Sequence, residues 1–319
     1  MTPKSSTTHP THPTIVRGLH NVPDSLHQSI VSIGNFDGVH LGHQYLLNEL
    51  RANRTASEPV VVVLFEPQPN EFFNRNLAPK RLTSLHEKLQ AFAHYTHVDG
   101  VVIIPFNQSV ASTRPKQFVA QLIHALQPKC IWVGHDFKFG YRRSGDYALL
   151  VELSNIYGYS CGQAKPFRIG NERISSTSIR QFLQQGNLIQ SKQYLGRDYA
   201  LNGRVIKGDQ LGRTLGYPTA NIKLKQETPI QGSFIVSVDI QQHQYWGMAN
   251  VGYRPSVQGK TQQVEVHIFN FNETIYQQRI TITFLHLLRK EQRFESLKHL
   301  VDQLAIDKQC AQQWIATHR

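Results

Sequence analysis

The sequence predicts an α/β domain with a doubly wound parallel sheet, followed by an antiparallel β-barrel that ends in a helix. Three observations carry this. From residue 29 to residue 186, short continuous apolar runs alternate with amphipathic stretches of 3.6-residue period. Beyond about residue 198 the apolar runs follow one another with only turn residues between them. A long helical period then returns at 294–314. Strands buried on both faces read as unbroken apolar runs, and helices between them imply parallel crossovers. Successive strands joined by turns imply a barrel or a sandwich.

The first-half elements follow in order. SIVSI (29–33), VVVVLF (60–65), GVVIIPF (100–106) and KCIWVG (129–134) are predicted strands. Helices are predicted at 43–54, at 84–95 with Ser84 as N-cap, at 115–126, at 146–158 with Gly158 as stop, and at 176–186. In the second half, YALNGRVI, FIVSVDI (234–240), YWGMANV (245–251), QVEVHIFNF (263–271) and IYQQRITITFL (275–285) are predicted strands. We divide the chain into a tail (1–14), an α/β domain (15–190) and a barrel domain (191–319). At 319 residues it exceeds the usual size of one core.

Composition limits the function classes. The N-terminus MTPKSSTTHPTHPT is polar and lacks the apolar segment of a secretory signal. No run is long enough to cross a membrane as a helix. Cys130, Cys161 and Cys310 are odd in number and lack CxxC spacing, which predicts reduced, buried thiols in a cytoplasmic protein. Net charge is +12, and pI is about 9.7. That raises an RNA-binding alternative. The charge is spread evenly, with 18 basic against 12 acidic residues in 1–190 and 16 against 10 in 191–319. A diffuse positive balance fits small polyanions such as ATP equally well, and neither nucleic acid nor membrane is expected as a partner.

The first constellation is GNFDGVHLGH (34–43). It follows a strand and opens a helix. Gly34, Gly38 and Gly42 let backbone approach a ligand, and a helix N-terminus favours phosphate. His40 and His43, three apart, can both donate N–H groups there. An isolated HxxH is more often a plain turn, and metal ligation lacks a third ligand at usual spacing. The second element is ISSTSIR (174–180). One hydroxyl is a normal N-cap, but four followed by Arg180 make a good triphosphate cradle.

These motifs, in this order, resemble the class of HxGH nucleotidylyltransferases. With FEPQP (65–69) and VGHDFKFG (133–140), the segment is similar to the FMN adenylyltransferase module of bacterial bifunctional riboflavin kinase/FAD synthetases. The resemblance implies FMN + ATP giving FAD + pyrophosphate. His40 and His43 are then catalytic contacts to ATP phosphates. Gly34, Phe36 and Gly42 belong to the same nucleotide-binding turn, and Ser176, Thr177 and Arg180 hold the β/γ-phosphates. Asp136 and Phe137 lie beside the flavin. Gln68 and Glu66 depart from an FDPHP-like form, and Asp136 from an Asn found in some relatives.

The second half contains GRVIKGDQLGRTLGYPTAN (203–221). It is not a P-loop, yet a glycine-rich basic loop can wrap phosphates, and a flexible hairpin is the plainer alternative. Pro218 fixes the backbone, and period 2 places Thr219 and Asn221 on one side as oxygen ligands suited to Mg²⁺. In VEVHIF (264–269), alternation sets Val264, Val266 and Ile268 on one face and Glu265, His267 and Phe269 on the other. Glu265 is a surface residue by default, or a general base facing a cleft.

These strings, with GMANVGYRPS (247–256) and LRKEQRFESLKHLVDQLAIDK (288–308), resemble the flavokinase (riboflavin kinase) domain. The resemblance implies riboflavin + ATP giving FMN + ADP. Glu265 is then the base, and Thr219 and Asn221 hold Mg²⁺–nucleotide. Gly203, Lys207, Gly208, Gly212 and Arg213 cover phosphates, and Arg289 borders the flavin. FNFNETIYQ departs from an FDxDLYG-like turn. The expected activity is therefore bifunctional flavin cofactor synthesis with ATP, Mg²⁺, riboflavin and FMN. Two alternatives remain: a single-activity FMN adenylyltransferase with a flavin-binding regulatory barrel, and an HxGH transferase using CTP or pantetheine phosphate. The second leaves PTAN and Glu265 unexplained.

Overall fold

A computed structural model describes residues 12–318 except 53, 55–57, 209–210, 225 and 257–258. Most of the predicted tail (1–11) lies outside the described residues. The chain forms two compact units, one of Met1–Pro79 with Lys88–Ile174, the other of Lys80–Glu87 with Ser175–Arg319.

The first unit is built on six parallel strands: β1 (Thr14–Arg17), β2 (Ile30–Ile33), β3 (Val60–Glu66), β4 (Gly100–Pro105), β5 (Cys130–Val133) and β6 (Ser160–Gln163). Their order across the sheet is β1-β4-β3-β2-β5-β6. Between them run α1 (Leu41–Ala52), α2 (Pro69–Phe73), α3 (Leu85–Tyr95), α4 (Gln108–Ser112), α5 (Pro115–Leu126) and α6 (Tyr147–Tyr157). A two-stranded hairpin, β7 (Arg168–Ile169) and β8 (Glu172–Arg173), follows.

The strands owe their place to burial on both faces. Residues 60–64 are all buried. One face packs Val31, Ile33, Val63, Ile131 and Val133 against Phe118, Leu122 and Leu126 of α5 and Leu150 of α6. Ser84 caps α3 as predicted: its Oγ accepts from Glu87 N–H (3.3 Å) while Glu87 Oε2 accepts from Ser84 N–H (2.6 Å). Two strands have no sequence signal. β1 is a four-residue edge strand with only Val16 buried. β6 reads SCGQ, and the Trp132 ring occupies the space where a Gly162 Cβ would be.

Strand order reverses at β2, whose neighbours β3 and β5 come from opposite wings of the sheet. In open parallel sheets such a switch point leaves a crevice at the strands' carboxyl ends. The loops after β2 and β5 open there.

The second unit begins with α7 (Ser176–Gln185) and α8 (Leu188–Leu195). Then come β9 (Ala200–Ile206), α9 (Leu211–Thr214), β10 (Ala220–Lys223), β11 (Gly232–Ile240), β12 (His243–Ser256), β13 (Gly259–Ile268), β14 (Arg279–Arg289) and α10 (Leu297–His318). The six strands form a closed antiparallel barrel in the order β10-β13-β12-β11-β14-β9. Val264, Val266, Val251, Phe234 and Phe284 are almost wholly buried. On the other face of the strands, Ile235 and Met248 pack against Ala311 and Ile315 of α10. The barrel thus has an apolar interior and one outer face covered by a helix.

Three expectations need correction. β14 starts at Arg279, not 275, because the chain turns first, with Gln277 at φ 66°. β13 ends at Ile268, short of Phe271, since Asn270 adopts φ 53° and cannot extend the ladder. The thiols are free but not buried: Cys130 and Cys161 are half-buried and Cys310 is exposed. The two strand cysteines lie on neighbouring strands near the sheet edge, and α10 turns Cys310 to solvent.

Candidate active sites

The first site is the turn between β2 and α1. Gly34 N–H donates to Val63 O (3.2 Å), extending the sheet one residue past Ile33. Then Phe36 (φ 46°), Gly38 (φ 83°) and Val39 (φ 41°) take left-handed conformations. Only glycine does so without steric cost, so the turn holds local strain that its surroundings must offset.

Its side chains form a column of three rings. His40 and His43 stack at 3.6 Å between centroids with planes 16° apart, and Phe36 lies 5.0 Å from His43. Two glycines make room. A Cβ on Gly34 would sit 3.1 Å from the Phe36 ring, and one on Gly42 3.2 Å from the His40 ring. The His40 carbonyl accepts from the N–H groups of His43 (2.8 Å) and Gln44 (3.0 Å), so the rings stand at the opening turn of α1. The outward N–H groups and the positive helix end there attract anions. Beneath the turn, Lys88 is 1% exposed and its Nζ donates to Asn35 O at 2.6 Å. Nothing in the sequence marks this lysine, which sits on a helix whose other charged residues are more open.

Beside this turn, across the switch point, lies the loop after β5. Asp136 is exposed and 3.7 Å from Arg173. Phe137 is half-buried, stacked on Phe139 (5.5 Å) and packed against the core. Nothing in the structure explains the glutamine of the FEPQP departure. Gln68 is buried at the start of α2, where its backbone N–H donates to Glu71 Oε2 (3.1 Å). Among the described residues no cluster of three His, Cys, Asp or Glu could hold a metal ion.

Ser176, Thr177 and Arg180 lie on the first turns of α7, in the second unit. The capping task falls to Ser175, whose Oγ accepts from Ser178 N–H (3.1 Å). That leaves the hydroxyls of Ser176 and Thr177 outside the cap. Arg180 Nε donates to Lys80 O (2.6 Å), which fixes its guanidinium.

The second site is a cavity of about 190 Å³ on the outer face of the barrel. Its floor is one row of polar residues set side by side by strand register. Asn221 of β10 faces Glu265 of β13, and Glu265 faces Asn250 of β12. Asn250 faces Ser233 of β11, and Ser233 faces Arg289 of β14. All five line the cavity. Thr219 and His267, two residues from Asn221 and Glu265, line it as well. The expected faces of β13 are thus observed: Val264 and Val266 are buried inside the barrel, while Glu265 and His267 face the cavity. Leu300, Leu304 and Asp307 of α10 form a wall, and Glu291 and Phe294 line another side.

Several interactions hold this frame. The carboxylate of Asp307, 5% exposed, accepts from Arg289 Nε (2.9 Å) and Gln303 Nε2 (2.8 Å). A buried carboxylate needs such pairing. The Arg289 guanidinium also lies over the Phe294 ring (5.3 Å). His267 Nδ1 lies 2.9 Å from Pro218 O, tying β13 to the PTAN segment. Burial pushes the His267 pKa below its ordinary value, despite the opposing pull of that carbonyl.

The glycine-rich loop is placed in part. Gly208 lies against the Asn221 side-chain amide, and Gly212 against the Tyr217 carbonyl, both too close for a Cβ. Gly203 is buried against Ile222. Lys207 and Arg213 are exposed. Residues 209–210 between them lie outside the described residues. The sequence assigned no site role to Asn250, Ser233 or Asp307, and GSF (232–234) read only as a conservative departure from GVY. For Asn250 the signal was available, a lone amide in the apolar run GMANV.

Fold and sites together define a two-domain ATP-dependent transferase: an HxGH-type nucleotidylyltransferase domain followed by a flavokinase-type barrel. Residues 22–178 match the FAD synthetase family and residues 195–315 the riboflavin kinase family. The bifunctional riboflavin kinase/FMN adenylyltransferase of Escherichia coli (strain K12) is 40% identical over 305 residues, spanning 94% of this chain and 97% of that protein. The Haemophilus influenzae protein of the same name is 40% identical over 93% of this chain and 97% of its own length. The chain belongs to the bifunctional riboflavin kinase/FMN adenylyltransferase family. A crystal structure described as a macrolide-efflux protein from Streptococcus pneumoniae shares the fold, with TM-score 0.77, 30% identity, and coverage of 95% of this chain and 99% of that one. Among the described residues no helix is long and apolar enough to cross a membrane.

Proposed function

We propose a division of labour in which the barrel cavity phosphorylates riboflavin and the switch-point turn adenylylates the resulting FMN. The chain is a bifunctional enzyme of flavin synthesis, since both domains of its family are present. One observation carries the assignment of roles: register places Asn221 directly beside Glu265 in the barrel cavity, with Thr219 on the same side.

In the kinase step, Glu265 takes the proton from the riboflavin 5′-hydroxyl. The freed oxygen attacks the γ-phosphorus of ATP as the bond to the β–γ bridging oxygen breaks, giving FMN and ADP. Proton removal by a positioned carboxylate is ordinary general-base catalysis. Thr219 and Asn221 offer neutral oxygens next to a carboxylate, a set that fits Mg²⁺ bound mainly through nucleotide phosphates. The ion supplies charge neutralisation of those phosphates. Gly208 and Gly212 bring loop backbone close to Asn221 and Tyr217, while Lys207 and Arg213 add cationic charge beside the phosphates. Arg289, held by Asp307, borders the flavin.

In the adenylyl step, an FMN phosphate oxygen attacks the α-phosphorus of ATP and pyrophosphate leaves. No proton has to move, so the task is positioning and charge stabilisation. His40 and His43 donate to the α-phosphate at the start of α1, with Gly34, Phe36 and Gly42 shaping that turn. Ser176, Thr177 and Arg180 bind the β/γ-phosphates, and Asp136 and Phe137 flank the flavin. Functionally the chain divides near residue 190. The exposed free thiol Cys310 suits a reducing, cytoplasmic setting.

Incubation with riboflavin and Mg-ATP, followed by chromatography of the flavins, tests this. FMN and then FAD are expected. Conversion of added FMN to FAD without FMN formation from riboflavin would reduce the barrel to a non-catalytic module.

A further inference from the structure

We propose that Lys80 is a positioning residue for the adenylyl step: its carbonyl holds the Arg180 guanidinium, while Tyr253 and Glu227 of the barrel unit hold its ammonium. The proposal deepens the assignment of Arg180 to the β/γ-phosphates made above and rests on it.

The segment Lys80–Glu87 leads into α3, yet it belongs to the second unit, together with α7 and the barrel. It is fastened at both ends. At one end, Glu87 Oε1 accepts from the backbone N–H of Asn202 on β9 (2.6 Å). In the middle, Arg81, Leu82 and Thr83 are all buried. At the other end, Lys80 Nζ donates to the Tyr253 hydroxyl of β12 (2.6 Å), and that hydroxyl donates to Glu227 Oε2 (2.7 Å). The ammonium also lies 3.5 Å from Glu227 Oε2 and 5.1 Å from the centre of the Tyr253 ring. A phenol has one hydrogen to give and lone pairs to receive with, so the three groups form one directed chain. Burial pushes the Tyr253 pKa above its ordinary value, which keeps on the hydroxyl the hydrogen it gives to Glu227.

The backbone of the same lysine meets α7. Arg180 Nε donates to Lys80 O at 2.6 Å. A bond at Nε fixes the plane of the guanidinium and the pivot about which its terminal N–H groups turn. Recognition of phosphate by arginine depends on the aim of that planar fork. The tether is separate from the kinase cavity. Alternation on β12 sets Tyr253 on the face of the buried Val251, opposite to the face of Asn250, which lines the cavity. A strap clamped to the barrel through one side chain thus sets the aim of a phosphate-binding arginine on α7.

The test measures FAD formation from added FMN and Mg-ATP in the full chain. Lys80→Met removes the ammonium and keeps the carbonyl. Tyr253→Phe keeps the ring and removes the hydroxyl. Each should raise KM for ATP about three- to tenfold, an ordinary size for residues that act without touching the ligand. Inhibition by pyrophosphate, the product that carries the β/γ-phosphates away, should weaken by a similar factor. KM for FMN, and FMN formation from riboflavin, should stay as in the wild type. The two changes combined should be no worse than either alone, since both break one chain. An unchanged KM for ATP, additive losses, or an equal rise in KM for FMN would overturn the proposal and leave the tether a framework contact. Arg180→Ala separates the two claims. If it leaves KM for ATP and pyrophosphate inhibition unchanged, the assignment of Arg180 falls, and this proposal with it. If it raises KM for ATP while Lys80→Met and Tyr253→Phe do not, only the positioning role of Lys80 falls.

Discussion

The two candidate sites are built by opposite architectural means. In the α/β unit, the histidine turn is local in sequence. Ten residues, 34–43, form a strained turn whose rings stack at the start of one helix. The groups this turn offers are backbone N–H and imidazole, and Gly34 and Gly42 leave room for the rings. In the barrel unit, the site is distributed. Asn221 and Arg289 are 68 positions apart, yet belong to one row because antiparallel register puts their strands together. A helix terminus concentrates positive potential at a point, which suits an exchange at phosphorus with no proton to move. A strand row spreads functional groups at fixed intervals, which suits a reaction that needs a base, a metal-bound nucleotide and an extended acceptor together.

If the two sites are independent machines, single substitutions should separate them cleanly. The largest effect expected is at Glu265. Glu265→Gln should lower FMN formation by roughly 10²–10⁴-fold, the usual contribution of a general base, and leave FAD formation from added FMN intact. Chromatography of the two flavin products reads both activities in one sample. Somewhat smaller is the mirror experiment. His40→Ala and His43→Ala should each lower FAD formation by roughly 10²–10³-fold, as removal of an electrostatic donor does, with FMN formation unaffected. Loss of both activities in either variant would mean that the sites are coupled.

A third prediction concerns what holds the strained turn. Lys88→Met keeps the buried volume but takes away the ammonium that donates to Asn35 O. An acceptor left unmatched costs about 1–3 kcal/mol, so the thermal midpoint of the α/β unit should fall. FAD formation should weaken with it while FMN formation persists. Unchanged melting and unchanged FAD formation would show that the turn holds its shape without the lysine.

The smallest effect lies in pH dependence. Burial lowers the His267 pKa in the folded chain, so the unfolded chain binds the proton more readily. His267 thus contributes stability above its ordinary pKa of about 6.5 that is lost as pH falls through the lowered value. His267→Gln should flatten that acid-side loss in melts of the barrel between neutral and mildly acid pH. A steeper loss in the variant would reverse the sign and place the cause elsewhere.

Much of this was legible in order along the chain. Strands β2 to β5 announce themselves as β-branched runs, and Gly158 and Gly186 end their helices with φ near 77° and 75°. β1 and β6 were invisible because neither is a continuous apolar run: only Val16 is buried in β1, β6 reads SCGQ, and both are held by their neighbours. The thiols misled because cysteine is often buried as a residue type, while Cys310 happens to fall on the outer side of an amphipathic helix.

By itself, the sequence determined the α/β-plus-barrel architecture and the motifs of both parts, and it nominated residues for the chemistry, since these depend on residue type and short-range spacing. Only the tertiary structure decided which distant residues stand together. Strand order set β5 beside β2 and so brought the GHDFKFG loop to the histidine turn. Barrel register set Asn250 next to Glu265 and Ser233 next to Asn250. Burial put the Lys88 ammonium under Asn35. The physical reason is the same in each case: periodicity along one segment tells which face a residue occupies, but the partner across that face is selected by long-range pairing and packing.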